Sequence, residues 1–285
     1  MSELVIGTTN LFTVMKRETG GVILQHPEAK VFMPNEGIQG TLKEGDKIEA
    51  FVYIDHKKGL IADMRTPKID IYRADFVDVV ERKDSLGVFV DIGLSKDMLV
   101  SLDELPPLKK QWPKIGDRLY CRLKASRRQM VASLVKRFTL FDHKKAEKPL
   151  EKGEKVSAHV VYLADEGLVL FTEEGHEVFV FYKHTRKEHR LGEELKVTVS
   201  VVKDELRYNG TLIEQKENML EGDALRIYEY LKKNNPMPFT DKSDPQEIFE
   251  TFHMSKAAFK RALGRLYKEG RVNLKKDKTE LKEND

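Results

Sequence analysis

The sequence predicts a mainly β chain with an α-helical end: three tandem five-stranded OB-fold barrels followed by a C-terminal winged-helix domain. Three observations predict it. A phrase of glycine, acidic residue and alternating strand recurs at Gly45-Asp46, Gly116-Asp117 and Gly192-Glu193. Its copies lie about seventy residues apart, a domain-sized interval too long for a solenoid repeat. From Glu217 the apolar period lengthens from two residues to about 3.6, the change from strand to helix. These set barrels over residues 1–67, 68–135 and 151–216, a charged connector over 136–150, and a winged helix over 217–285.

Composition agrees with small units. Hydrophobic residues make up 40% of the 285, low for one large core and suited to several small ones. Lys+Arg 50 and Asp+Glu 47 nearly cancel to +3, so affinity for nucleic acid must come from local patches. The lone Cys121 excludes an intramolecular disulfide framework and any multi-cysteine metal site. It falls on the apolar side of a strand pattern, where a buried, inert thiol is expected. The N-terminal MSELVIGTTN has no basic segment followed by an apolar run, and no stretch reaches membrane-spanning length. A cytoplasmic protein without a membrane partner is therefore expected.

In the first barrel the strands are Leu11–Met15, Gly21–Gln25, Val31–Met33, Ile48–Ile54 and Leu60–Met64. On the fourth, Ile48, Ala50, Val52 and Ile54 point inward, which leaves Phe51 and Tyr53 as an aromatic pair on the polar face. The link Thr66-Pro67-Lys68 is short and should hold the first two barrels close.

The second barrel carries the richest stretch, LGVFVDIGLSKDMLVSLDEL over Leu86–Leu105. Val88, Val90 and Ile92 share one face, so Phe89 sits on the other, between Gly87 and Asp91. A large aromatic there is either covered by a neighbouring segment or offered to a ligand, and an exposed strand aromatic of a small barrel is a common base-stacking platform. On the fourth strand Leu119, Cys121 and Leu123 point inward and Arg118, Tyr120, Arg122 and Lys124 outward, with Arg128 in the following turn. Cations follow phosphates and rings take bases in single-stranded nucleic acid. The bland alternative is a solvated edge strand, where Lys and Arg discourage aggregation.

The connector KRFTLFDHKKAEKPLEK is charged and no core role is expected of it. In the third barrel Phe179 and Phe181 face opposite Val178 and Val180, and the basic loop His184–Arg190 is a candidate phosphate contact. After Asp223, a plausible N-cap, Ala224, Leu225, Tyr228 and Leu231 mark a helix face that Asn234-Asn235-Pro236 stops. A second helix begins at Asp244, with Pro245 at its first position and Glu247 completing a capping box. A third runs from Ser255 to Gly270, with Phe259, Ala262, Leu263 and Leu266 as its apolar stripe. Its opposite side holds Lys260, Arg261, Gly264, Arg265 and Lys268. A glycine in mid-helix costs about 1 kcal/mol relative to alanine, so Gly264 implies close approach of either a phosphate backbone or a packed neighbour. Two short strands, Arg271–Lys275 and Thr279–Lys282, complete a winged helix, whose third helix is the usual reader.

No P-loop, dinucleotide fingerprint, nucleophile elbow or paired metal-binding histidines on a helix occurs in the sequence. No enzyme activity, cofactor or metal is called for.

The second barrel resembles the RNA-binding domain repeated in ribosomal protein S-one, whose signature joins an aromatic-Gly-small-aromatic-Val strand to a Gly-Leu-Val-His-x-Ser segment. Here these read Leu86-Gly87-Val88-Phe89-Val90 and Met98-Leu99-Val100-Ser101-Leu102-Asp103. The resemblance puts Phe89 at one base-stacking aromatic; Leu86 replaces the other and Ser101 the histidine. Three such barrels and a winged helix, in a chain of this length, resemble the bacterial conserved virulence factor B family. That resemblance implies an RNA-binding regulator, cytoplasmic and non-catalytic. The expectation is a protein holding single-stranded RNA through Phe89, Tyr120, Arg122, Lys124, Arg128, Phe51 and Tyr53, joined by the winged-helix cations. The rivals are a regulator binding DNA through the winged helix and a protein-interaction adaptor whose barrels have lost RNA binding.

Overall fold

The structure, a computed structural model, describes residues 3–125, 129–185, 187–204, 206–213 and 216–282. It divides into two compact units, Met1–Leu212 and Ile213–Asp285.

Three closed barrels make the first unit. One consists of β1 (Thr9–Glu18), β2 (Gly21–Gln25), β3 (Lys30–Pro34), β4 (Lys47–Asp55) and β5 (Gly59–Asp63), in the order β1-β2-β3-β5-β4. The next repeats that order with β6 (Asp75–Lys83), β7 (Gly87–Asp91), β8 (Met98–Ser101), β9 (Arg118–Ala125) and β10 (Met130–Leu134). After a short helix α1 (Leu140–His143), the third uses β11 (Lys155–Leu163), β12 (Gly167–Phe171), β13 (Glu177–Phe181), β14 (Glu194–Asp204) and β15 (Arg207–Thr211). Pairing is antiparallel except where each barrel's third and fifth strands run parallel. Alternation fills the interiors: Phe12, Val14, Leu24, Met33 and Val52 in the first, Val79, Val88, Val90, Val100 and Cys121 in the second. In the third, Val160, Leu170, Val180 and Val197 do the same. Burial pushes the Cys121 thiol far up, as an inert core thiol requires.

The repeated glycine-acid phrase is a lock between strands. Gly45, Gly116 and Gly192 all have positive φ, at 89°, 90° and 80°. Their N–H groups donate to the carbonyls of Val14, Val79 and Val160 at 2.8, 2.9 and 2.8 Å. Those same three residues donate their N–H to the carbonyls of Asp46, Asp117 and Glu193. The acidic side chain closes the turn by accepting from the backbone N–H of Lys43, Lys114 or Arg190. Each first strand bulges just after its locked residue, between Val14 and Lys16, Val79 and Glu81, and Val160 and Tyr162. Glu151-Lys152-Gly153-Glu154 is a further copy, locking Val199 of β14 beside its own bulge.

The outer faces of the barrels are partly covered by one another, which corrects the surface reading of several aromatics. Phe51 and Tyr53 point out of the first barrel as expected, yet are 1% and 3% exposed, in a cluster with Ile69, Ile92 and Leu94 of the second. Above them Ser95 donates N–H and O–H to Asp63, and Lys96 pairs with Asp55. Burial would raise the Asp63 carboxyl, but hydrogen bonds from Arg65 and Ser95 outweigh it and hold it low. Tyr120, expected on a solvent-facing stripe, is 2% exposed, packed 4.9 Å from Phe76 and 5.1 Å from Phe171 of the third barrel. The connector is also part of the core: Leu140 is fully buried in that cluster and Leu150 lies among the third barrel's interior residues. Its charged composition hides two apolar anchors.

The second unit holds α2 (Lys216–Lys233), α3 (Pro245–Phe252), α4 (Lys256–Lys268), β16 (Val272–Leu274) and β17 (Thr279–Leu281). Asp244 accepts from the Gln246 and Glu247 N–H groups, and Ser255 accepts from Ala258, as the capping patterns predict. Ile227, Leu231, Ile248, Phe252, Phe259 and Leu263 form the core, and Met237 bridges to Thr279 beside the β16–β17 hairpin. α2 begins at Lys216, not at an Asp223 cap; it runs through Gly222, a glycine that the helix tolerates at modest cost.

Candidate nucleic-acid interface

Phe89 sits in mid-β7, half-buried, opposite Glu81 of β6 and Leu99 of β8. Lys83, which alternation along one strand does not single out, brings its ammonium 5.0 Å from the ring centroid. Only the β6–β7 register, with Lys83 opposite Gly87, reveals it. Gly87 has φ +134°, and a Cβ there would stand 2.1 Å from the Val100 carbonyl, so the β7–β8 approach beside Phe89 depends on glycine. The outer face continues round the barrel from β7 through Leu99 and Ser101 of β8 to Val131 and Ser133 of β10. Across β10, Ser133 lies opposite Arg122 and Val131 opposite Lys124. Arg122 and Lys124 are exposed and pair with no carboxylate among the described residues. Three strand steps of about 4.8 Å separate Phe89 from these cations, roughly 14 Å along the curved face.

Not every expected site residue joins this face. Arg128 lies outside the described residues. Tyr120, Phe51 and Tyr53 are spent on contacts between barrels, so no base reaches their rings. Ser101 caps the turn Leu102–Glu104, accepting from the Asp103 N–H, and Leu86 leaves an aliphatic side chain exposed.

Equivalent registers show how the three barrels differ. Where β7 has Phe89, β2 has Ile23 and β12 has the buried Val169. Where β8 has Leu99, β3 has Phe32 and β13 has Phe179. Phe32 packs against the second barrel's cluster. Phe179 lies under the Arg137 guanidinium at 5.5 Å, and Phe181 under the Lys183 ammonium at 5.2 Å. The basic loop of the third barrel is turned to structure. Arg190 makes two hydrogen bonds to Asp117 at 2.7 and 2.8 Å, Lys187 and His189 contact Glu193, and Glu188 takes Lys110. These contacts fasten the third barrel to the second; Arg186 of the same loop lies outside the described residues.

In the second unit, Lys260, Arg261 and Lys268 are exposed along α4. Lys260 lies 3.8 Å from Asp241, and Arg265 donates to Glu269 at 2.8 Å. A Cβ on Gly264 would meet nothing within 4 Å, so no packed neighbour among the described residues accounts for that glycine. Among the described residues no group of His, Cys, Asp and Glu fits a metal ion, and no helix is long and apolar enough to cross a membrane.

Comparison with known proteins follows the same division. Residues 6–65 match the model of an S1 domain, 74–132 that of a CvfB first S1-like domain, and 225–281 that of a CvfB-like winged helix domain. The chain is 35% identical to YitL of Bacillus subtilis, covering 88% of this chain and 85% of that one. It is 30% identical to conserved virulence factor B of Staphylococcus haemolyticus, covering 97% of this chain and 94% of that protein. A crystal structure of a multidomain protein with nucleic acid binding domains from Streptococcus pneumoniae superposes with a TM-score of 0.65 at 30% identity, over 97% of this chain and 98% of that one.

Proposed function

The chain belongs to the conserved virulence factor B family, and from that premise we propose that it is a non-catalytic, RNA-binding regulatory protein. In this reading the second barrel holds single-stranded RNA on its outer face, and α4 of the winged helix adds phosphate contacts. The observation that carries it is Phe89. It is a half-exposed ring at a stacking position, with Lys83 above it and two cations, Arg122 and Lys124, that pair with no carboxylate among the described residues, further round the same face. A ring supplies stacking to any base, and cations supply attraction to the backbone; neither needs a reacting group. The capping role of Ser101 and the aliphatic Leu86 favour a modest single site. Modules joined in one chain raise their combined affinity through effective concentration.

The test is a titration of the full chain against single-stranded RNA, single-stranded DNA of the same sequence and duplex DNA. RNA should bind best, and Phe89→Ala should lose about 1–3 kcal/mol of binding with thermal stability nearly unchanged. Preference for the duplex would transfer the function to the winged helix as a DNA reader. Absence of binding to all three would leave the protein adaptor.

A further inference from the structure

The second barrel, the connector and the third barrel build a cleft of about 740 Å³ beside the face just described. This lies within the range of roughly 300–1,000 Å³ usual for small-molecule sites. Val135 and Val161, both buried, supply apolar lining, and two aromatic side chains stand at its edge. Phe138 is 80% exposed and Tyr162 50%.

Neither ring is exposed through looseness. Leu140, fully buried, anchors the turn Arg137–Thr139 from one side. Arg137 is clamped by hydrogen bonds to Glu177 at 2.8 and 3.2 Å, with its guanidinium over Phe179. Phe138, between these anchors, is held out toward water. The bulge between Val160 and Tyr162 places Val161 in the contact with the second barrel and leaves Tyr162 outside. At the equivalent position the first barrel has Lys16 and the second Glu81, so the aromatic is particular to the third barrel.

The charges around the rings are complementary to an anion-bearing ligand. Lys124 and Lys136 line the cleft and pair with no carboxylate among the described residues; the Lys136 ammonium lies 5.9 Å from the Phe138 centroid. Glu104 is the acidic member of the lining, but its oxygens accept from the Ser133 hydroxyl and the Leu134 N–H. Lys124 belongs both to this cleft and to the outer face that begins at Phe89, so the two are continuous.

We infer that this cleft is a second base-stacking subsite, in which Phe138 and Tyr162 take an unpaired base of the RNA strand held at Phe89, with Lys124 and Lys136 at its phosphates. It rests on the RNA-binding reading and deepens it by extending the path of the strand across two barrels.

The experiment titrates the full chain and its Phe138→Ala, Phe138→Leu, Tyr162→Ala and Phe89→Ala variants with one single-stranded RNA of about 16 nucleotides, the upper site size of an OB fold. Phe138→Ala and Tyr162→Ala should each weaken binding about 5- to 150-fold, the loss of one stacked base. Phe138→Leu, which keeps apolar bulk without a π face, should be nearly as weak. A further variant, Phe138→Trp, should keep the wild-type affinity, and bound RNA should quench its new indole, whereas the resident Trp112 is buried. Unchanged affinity in Phe138→Ala and Tyr162→Ala, beside a weakened Phe89→Ala, would overturn the cleft and leave the RNA-binding reading standing. Wild-type affinity in Phe138→Leu would overturn stacking there. Failure of the unsubstituted chain to bind the RNA would remove both.

Discussion

His159 is buried on the outside of the third barrel, where its ring centroid lies 4.8 Å from that of Phe76 and its Nδ1 has no hydrogen-bond partner among the described residues. Burial lowers its pKa below the ordinary 6.5, and the Arg118 guanidinium lowers it further; a hydrogen bond to the Gly192 backbone, then Glu194 and Glu173, only partly oppose this. Above the unfolded pKa the ring is neutral in both states and contributes no pH dependence. As pH falls through about 6.5, the unfolded chain takes up the proton first, so folding loses stability until the lower folded pKa is reached. The thermal midpoint should therefore be lower at about pH 5.5 than at about pH 7.5, and His159→Gln should narrow that difference. A difference of equal size in the variant would assign the pH dependence to other groups.

Among the strands, β7 and β9 show what alternation reveals and what it does not. Period two tells which side of a barrel wall a residue occupies, and it placed Phe89, Tyr120, Phe51 and Tyr53 correctly outside. It carries no information about what covers the outside, because that depends on contacts between residues of different barrels. A signal was nevertheless present for Phe51 and Tyr53. Ile61, which pairs with Tyr53 across β4–β5, is also apolar and outward, and the short link forces some outer face to be covered. Phe89 instead faces Glu81 across its pair. The capping patterns of α3 and α4 were legible because they are local; the two connector anchors were not, because Leu140 and Leu150 sit in a charged stretch without a period. The distinction can be measured. Tyr120→Ala should cost about 3–5 kcal/mol of stability, as for other large buried aromatics. A Tyr120→Ala chain that unfolds at the wild-type denaturant midpoint would mean that the contact between the second and third barrels bears little of the fold's stability.

At the scale of the whole molecule, +3 is too small a net charge to draw RNA from a distance. Binding must come from the cations left over after folding. Many are consumed: Arg190 by Asp117, Lys110 by Glu188, Arg137 by Glu177, Lys96 by Asp55. On the face and cleft of the first unit Arg122, Lys124 and Lys136 are exposed without a carboxylate partner among the described residues, and so are Arg261 and Lys268 in the second. Each phosphate contact on a single strand contributes about −0.7 to the slope of log K against log salt. Reversing Arg122 and Lys124 to Glu should therefore flatten that slope by about 1.4. Reversing Arg261 and Lys268 should do the same if α4 touches the strand, and the four-site variant should flatten it by about 2.8, since separate sites add. The measurement is affinity for one single-stranded RNA over a series of salt concentrations. A slope that Arg261→Glu and Lys268→Glu leave unchanged would confine RNA to the barrels and return the winged helix to another partner. Unequal but additive changes would instead measure how many phosphates each unit holds.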